Sequence, residues 1–258
     1  HYDWTNNDND GVGLFNAVVN ESGCLYDMCL QVDGDGDWVD IAAVNSSNIS
    51  FSVWVKVAQL PSDKADDNVI YDDMNWAGDT GFALIVDSAS PLNGVKLYLG
   101  SDTLSGSAST IAVGNWYHIA ATFDSSTMNG TIYINGSVDN TKIFNAVADW
   151  TSDDGAIGDW YGGGSSGSFN GSIDEFMIFN KTLTAAQITD IYNNASARFV
   201  GSGTQDVKQF NVTEGEDSTN VSLVNYERDL GSNISARVGA WDVASNVVDG
   251  SAYKDYDL

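Results

Sequence analysis

"VGNWYHIAATFDSSTMNGTIYINGSV", residues 113–138, carries the pattern that decides the fold. Within it "WYHIAATFD" and "TIYING" are short apolar runs bounded by Gly, Asn, Asp and Ser, which is how β-strands are punctuated. Asn129-Gly130 and Asn135-Gly136 bracket "TIYI" as hairpin corners would, because Asn-Gly accepts the positive φ of tight turns. The stretch therefore reads as antiparallel strands in succession.

The same signature spreads outward in both directions. "ISFSVWVKV" alternates cleanly, with Ile49, Phe51, Val53, Val55 and Val57 on one face and Ser50, Ser52, Trp54 and Lys56 on the other. "GFALIVD", "GVKLYLG" and "SIDEFMIFN" are further strand-like runs. One segment differs: "LTAAQITDIYNNA" offers Thr184 as N-cap, Gln187 three residues on, and Ile188, Ile191 and Tyr192 at helical spacing. Six or more strands followed by one short helix predict an all-β sandwich or jelly roll with a helical appendage. After Arg198 "FVGSGTQD" is linker-like, and "VKQFNVT", "TNVSLVNYE", "NISARVGAWD" and "SAYKDYDL" suggest four more strands. The expected division is 1–198 and 199–258, the latter a small β module whose open edges invite strands from a neighbour.

Composition narrows the function classes. A formal charge of −26 and a pI near 4.1 oppose nucleic-acid binding, since phosphate contacts need Lys and Arg. No apolar run is long enough to span a membrane, and no signal peptide opens the chain, which suits a mature form or an excised part. Acid is supplied by 31 Asp against 5 Glu; Asp suits turns and hard-cation ligation, while a solvating, salt-adapted surface is the competing reading. Cys24 and Cys29, in "SGCLYDMCL", favour a small disulfide loop over two free thiols, and hence an oxidising compartment. N-x-S/T sequons fall at Asn20, Asn45, Asn48, Asn129, Asn135, Asn170, Asn180, Asn194, Asn211, Asn220 and Asn233. Composition alone would give roughly four. The excess predicts an N-glycosylated, extracellular protein.

Four stretches, in order, resemble the laminin-G-like, concanavalin A-like jelly rolls, in particular their pentraxin-related prokaryotic branch. "CLQVDGDGDWVDI" looks like that family's F-D-G-x-x-D-Y-V pair, and "ISFSVWVKV" like its T-I-S-x-W-V-K strand. The opening stretch is similar to G-x-W-H-H-V-A…L-Y-V-N-G, and "AIGDWYGGGSSGSFNGSIDEFMIFNKTLTAAQITDIYNNA" to I-G…F-x-G-x-I-D-E-V-x-I-Y-N-x-A-L-S…E-I. The resemblance covers residues 1–198 and implies a structural calcium, carried by position to Asp174 with Gly34 or Asp35. "DGDGD" is otherwise a polar turn and Asp174 an acceptor of backbone N–H bonds. It is not an EF-hand, since Trp38 and Val44 stand where that loop needs Gly and Glu.

Function stays divided at this level. Glucanases on this fold use paired Glu residues on one strand, and Glu21, Glu175, Glu214, Glu216 and Glu227 offer no such pair within the jelly roll. His118 reads as core packing in its strand. No catalysis is expected. Trp160 and Tyr161 in "GDWYGGGSSG", and Trp76 in "DDMNWAGD", are candidates for a calcium-dependent carbohydrate site or for caps of the core edge. The favoured expectation is a non-enzymatic structural or adhesive subunit of a prokaryotic, archaeal or salt-adapted surface. It would self-assemble into a filament or layer, or join neighbouring repeats, with the lectin-like role as the alternative.

Overall fold

Ile49, Phe51, Val53, Val55 and Val57 are all buried in one core in the computed structural model, as their alternation predicts. Ser50, Ser52 and Trp54, on the opposite face, are buried as well, so this strand is covered from both sides. The structure describes residues 12–14, 17–20, 22–25, 28–42, 44, 46–75, 78, 80–108, 110–145, 154–161 and 167–199. In a second unit it describes 235–238, 241–242, 246–247 and 254–257.

The chain divides into His1–Gly201 and Ser202–Leu258. The first unit begins with β1 (Val12–Leu14), β2 (Val18–Asn20), β3 (Cys29–Asp33), β4 (Trp38–Ala42) and β5 (Asn48–Val57). The four-residue helix α1 (Pro61–Lys64) then leads to β6 (Asn68–Asp72), β7 (Phe82–Val86), β8 (Val95–Leu99) and β9 (Asp102–Ser105). β10 (Trp116–Asp124), β11 (Asn129–Ile134), β12 (Ser137–Ile143), β13 (Asp154–Ile157), β14 (Asn170–Phe179) and α2 (Ala185–Phe199) complete it. Two antiparallel sheets result. Sheet A runs β1-β4-β13-β6-β7-β8-β9 and sheet B runs β12-β11-β10-β5-β14-β3-β2. This is the expected all-β jelly-roll sandwich.

Between the sheets lies one apolar core, where Phe51 meets Tyr71 at 5.1 Å and Phe82 at 5.7 Å between ring centroids. Each such side chain removed from water contributes about 1.5–3 kcal/mol before its ordering entropy is charged. The outer face of sheet B is sealed by α2: Ile188 and Leu183 pack with Ala120 and Tyr133. The helix starts as its capping box predicts, Gln187 N–H donating to Thr184 Oγ1 at 3.3 Å and Thr184 N–H to Gln187 Oε1 at 3.0 Å.

One hairpin corner differs from the expectation. Asn135-Gly136 is a corner, with φ of 49° and 74°, but β11 already begins at Asn129 and the preceding turn closes at Met128, φ 57°. Gly130 lies inside the strand, where a Cβ would come within 2.3 Å of the Phe144 ring. Packing, not turn geometry, explains that glycine.

In the second unit β15 (Ser235–Val238) pairs with β18 (Lys254–Asp257), and β16 (Trp241–Asp242) with β17 (Asn246–Val247). "NISARVGAWD" thus holds two strands where one was expected, and "VKQFNVT" and "TNVSLVNYE" lie outside the described residues.

Candidate functional site

Sheet A has an outer face of its own. Val69, Ala83 and Ile85 are fully buried there with Met74, covered by the half-buried rings of Trp160 and Tyr98. β6 and β7 are apolar on both faces, so a two-sided burial that the core alone would not require is built into "NVIYD" and "FALIV". Lys96 pairs with Asp87 and lies 5.6 Å over the Tyr98 ring. Tyr161 stands beside this face, 46% exposed, its hydroxyl donating to Asp154 Oδ2 at 2.9 Å.

The β13–β14 connection that carries Trp160 and Tyr161 is clasped at its base by two buried carboxylates and one half-buried one. Asp159, fully buried, accepts Trp160 N–H at 2.7 Å and the Ser168 hydroxyl at 2.9 Å. Asp72, fully buried at the end of β6, accepts Tyr161 N–H at 2.8 Å and Met74 N–H at 3.1 Å. Asp66 accepts Gly167 N–H at 2.8 Å. Gly167, at φ 88°, lets the indole of Trp160 lie against the backbone, since a Cβ would fall 2.0 Å from Trp160 Nε1. Burial raises the Asp72 carboxyl to about 7, despite its two backbone donors, and the Asp73 carboxyl to about 6. Asp73 accepts Phe82 N–H at 2.5 Å and the Tyr71 hydroxyl at 3.0 Å. Asp72, Asp159 and Ser168 were not singled out in the sequence; "YDD" following an apolar run was the available signal for the first.

Other candidates fall elsewhere. Trp76 lies outside the described residues. His118 is buried on sheet B, its Nε2 2.9 Å from the Ser52 hydroxyl and its ring against Trp54 and Tyr192; burial lowers it to about 4. Cys24 and Cys29 are joined, with Cα atoms 5.3 Å apart.

The calcium carry-over does not converge. Gly34 and Asp35 sit in the β3–β4 turn, which crosses between sheets, whereas the β3–β14 register sets Asp33 opposite Asn170. Asp174 lies four residues farther along β14, roughly 13 Å away at the usual strand rise. Its carboxylate accepts Leu25 N–H at 3.1 Å and Glu175 N–H at 2.9 Å. Within the turn, Asp33 accepts Asp35 N–H at 3.0 Å and Asp37 accepts Asp33 N–H at 3.3 Å, while Gly34 and Gly36 take φ of 86° and 82°. Among the described residues no group of three or more His, Cys, Asp or Glu side chains is arranged to hold a metal.

The Laminin_G_3 family model, described as the concanavalin A-like lectin/glucanases superfamily, matches residues 33–189. No curated protein sequence matches the chain. Among solved structures, the binding domain of Paraclostridial Mosquitocidal Protein 1 aligns with a TM-score of 0.60 at 15% identity, over 74% of this chain and 49% of that one. The receptor binding domain of botulinum neurotoxin C/D mosaic serotype aligns at 0.56 and 16% identity, over 72% and 46%. Domain 4 of AbnA, a GH43 extracellular arabinanase from Geobacillus stearothermophilus in complex with arabinotriose, aligns at 0.53 and 19%, over 70% and 87%. The chain spans about half the length of the toxin domains that it matches.

Proposed function

The chain belongs to the concanavalin A-like lectin/glucanases superfamily, and on that premise we propose that its first unit is a glycan-binding module of an extracellular, adhesive surface protein. One observation carries the reading: Trp160 and Tyr98 cap an apolar outer face on sheet A that, among the described residues, no helix covers, with Tyr161 exposed beside them. Sugars offer flat C–H faces to aromatic rings and hydroxyls to flanking polar groups, here the exposed Asp154 and the Tyr161 hydroxyl that donates to it. The arabinotriose complex of the arabinanase domain and the receptor-binding role of the toxin domain agree with it. The Cys24–Cys29 bridge suits an oxidising exterior.

Binding without catalysis is the coherent form of this proposal. Glycoside hydrolysis wants two carboxyl groups flanking a substrate bond. Asp72, Asp73 and Asp159 are nearly or fully buried and occupied by backbone donors, and Glu175 belongs to β14 in the other sheet. Among the described residues the strands of the second unit pair only two by two, which favours a complementary role in assembly, whether with neighbouring repeats or in a filament or layer.

The test is a glycan panel probed with the full chain, with and without EDTA. Binding to at least one glycan is expected, weakened about tenfold or more by Trp160→Ala, and the EDTA arm reads whether a metal takes part. Equal binding by Trp160→Ala would remove the sheet A face from the proposal, and loss in EDTA would restore a calcium requirement.

A further inference from the structure

The sequons divide unequally between the two sheets. Eight of the eleven lie in His1–Gly201. Asn20 is in β2 and Asn48 begins β5; Asn129 begins β11 and Asn135 follows it, and Asn170 begins β14 and Asn180 follows it. All of these strands are in sheet B. Asn194 is in α2, the helix that seals sheet B, and Asn45 lies outside the described residues. No strand of sheet A contains a sequon, although Asn68 stands in β6 and Asn75 and Asn93 close to its strands. From residue 51 to residue 128, a stretch that includes β6 to β9, there is none.

Local structure separates the sequons further. Asn180 is exposed on the bend after β14. Asn48, by contrast, accepts both the amide and the hydroxyl of Ser125, at 2.9 and 3.1 Å, and the hydroxyl residue of its sequon, Ser50, is fully buried. Asn170 is half-buried, and Ser172 of its sequon is buried. A glycan is bulky and strongly hydrated, so the folded chain accommodates it where the amide already projects into solvent.

We propose that N-glycans are carried on the sheet B side, chiefly at Asn180, so that the Trp160 face of sheet A is left bare to meet its partner. The second clause rests on the glycan-binding reading; the first does not. The donor is an oligosaccharide joined through its anomeric C1 to a lipid phosphate, presented by a membrane oligosaccharyl transferase. Its C1–O bond breaks as C1 bonds to Asn180 Nδ2, the lipid phosphate leaves with the electron pair, and Nδ2 gives one proton to a base of the transferase. The product is a neutral glycosyl amide on an otherwise acidic surface.

The full chain, expressed in a host with N-linked glycosylation, is digested, de-glycosylated in heavy-oxygen water and mapped by mass spectrometry. Occupancy is expected at Asn180, about fivefold or more above Asn48 and Asn170, and Asn180→Gln removes it. An empty Asn180, or equal occupancy at Asn48 or Asn170, overturns the assignment. A second variant addresses the bare face. Ala77→Ser creates a sequon at Asn75, an exposed residue directly after Met74 of the sheet A cluster. Glycosylation there is expected to reduce glycan-panel binding about tenfold, with recovery on enzymatic de-glycosylation, while Asn180→Gln leaves binding unchanged. Undiminished binding by the occupied Ala77→Ser protein overturns the bare-face clause. A wild-type chain that binds no glycan removes the binding reading and the clause that depends on it, and leaves the occupancy map as the test of the first.

Discussion

The outer faces of the two sheets solve the same packing problem with different closure. On sheet B the helix α2 lies over Ala120 and Tyr133 and buries Ile188 completely. On sheet A the corresponding cluster of Val69, Met74, Ala83 and Ile85 is roofed by two half-buried rings on a clasped loop and a strand. A helix closes a face with many apolar contacts. A pair of aromatics closes it while leaving its own surface for something else to touch. Burial under a ring and availability of that ring are therefore compatible, so capping the core edge and binding are not alternatives for Trp160.

The largest expected effect tests the helical seal. Ile188→Ala should destabilise the first unit by about 2–4 kcal/mol in urea unfolding, through lost transfer energy and the cavity left behind. A change under ~1 kcal/mol would mean that α2 is not a true lid.

Acidity separates the faces by sign. Asp72, beneath the sheet A loop, has its carboxyl raised to about 7 from 3.8, so the fold binds that proton more readily than the unfolded chain does. Its contribution is present at low pH and is lost as pH rises from about 4 to about 7. His118, beneath α2, is lowered to about 4 from 6.5; its contribution is present above 6.5 and is lost as pH falls toward 4. Across their windows these correspond to roughly 4 kcal/mol for Asp72 and roughly 3 kcal/mol for His118. Stability measured from pH 4 to pH 8 should therefore rise relative to wild type at neutral pH in Asp72→Asn, and lose its acid-side decline in His118→Gln. Parallel profiles for the two variants would erase the contrast.

The smallest effect is expected where binding should suffer most. Trp160→Ala should cost only about 1–2 kcal/mol of stability, because the ring is half-buried and the loop base is held by Asp72, Asp159 and Asp66 rather than by the indole. A loss near that of Ile188→Ala would make the two faces equivalent and Trp160 a structural lid.

Legibility in the sequence followed the same division. The alternation in β5 and the Thr184–Gln187 box are local patterns with one physical outcome each, and both appear as expected. β6 and β7 are continuous apolar runs, and a run buried on both sides has no period from which a second cluster could be read. Trp160 was visible as an aromatic in a polar loop, but its clasp was not, because Asp72 and Tyr161 meet across 89 positions of chain. The calcium assignment moved three residues by motif alone, without the strand register that sets Gly34 and Asp174 apart.

The "DGDGD" turn has a consequence for motion. Gly36 N–H donates to the Ser168 hydroxyl at 3.0 Å, that hydroxyl donates to Asp159, and Asp159 holds Trp160 N–H. A bend at the β3–β4 crossing between the sheets is thus linked in series to the aromatic loop. In hydrogen exchange the amides of Gly36 and Trp160 should open as one cooperative unit, with a common free energy below that of global unfolding. A partner that settles on Trp160 would then be felt as slowed exchange in a turn that it never touches.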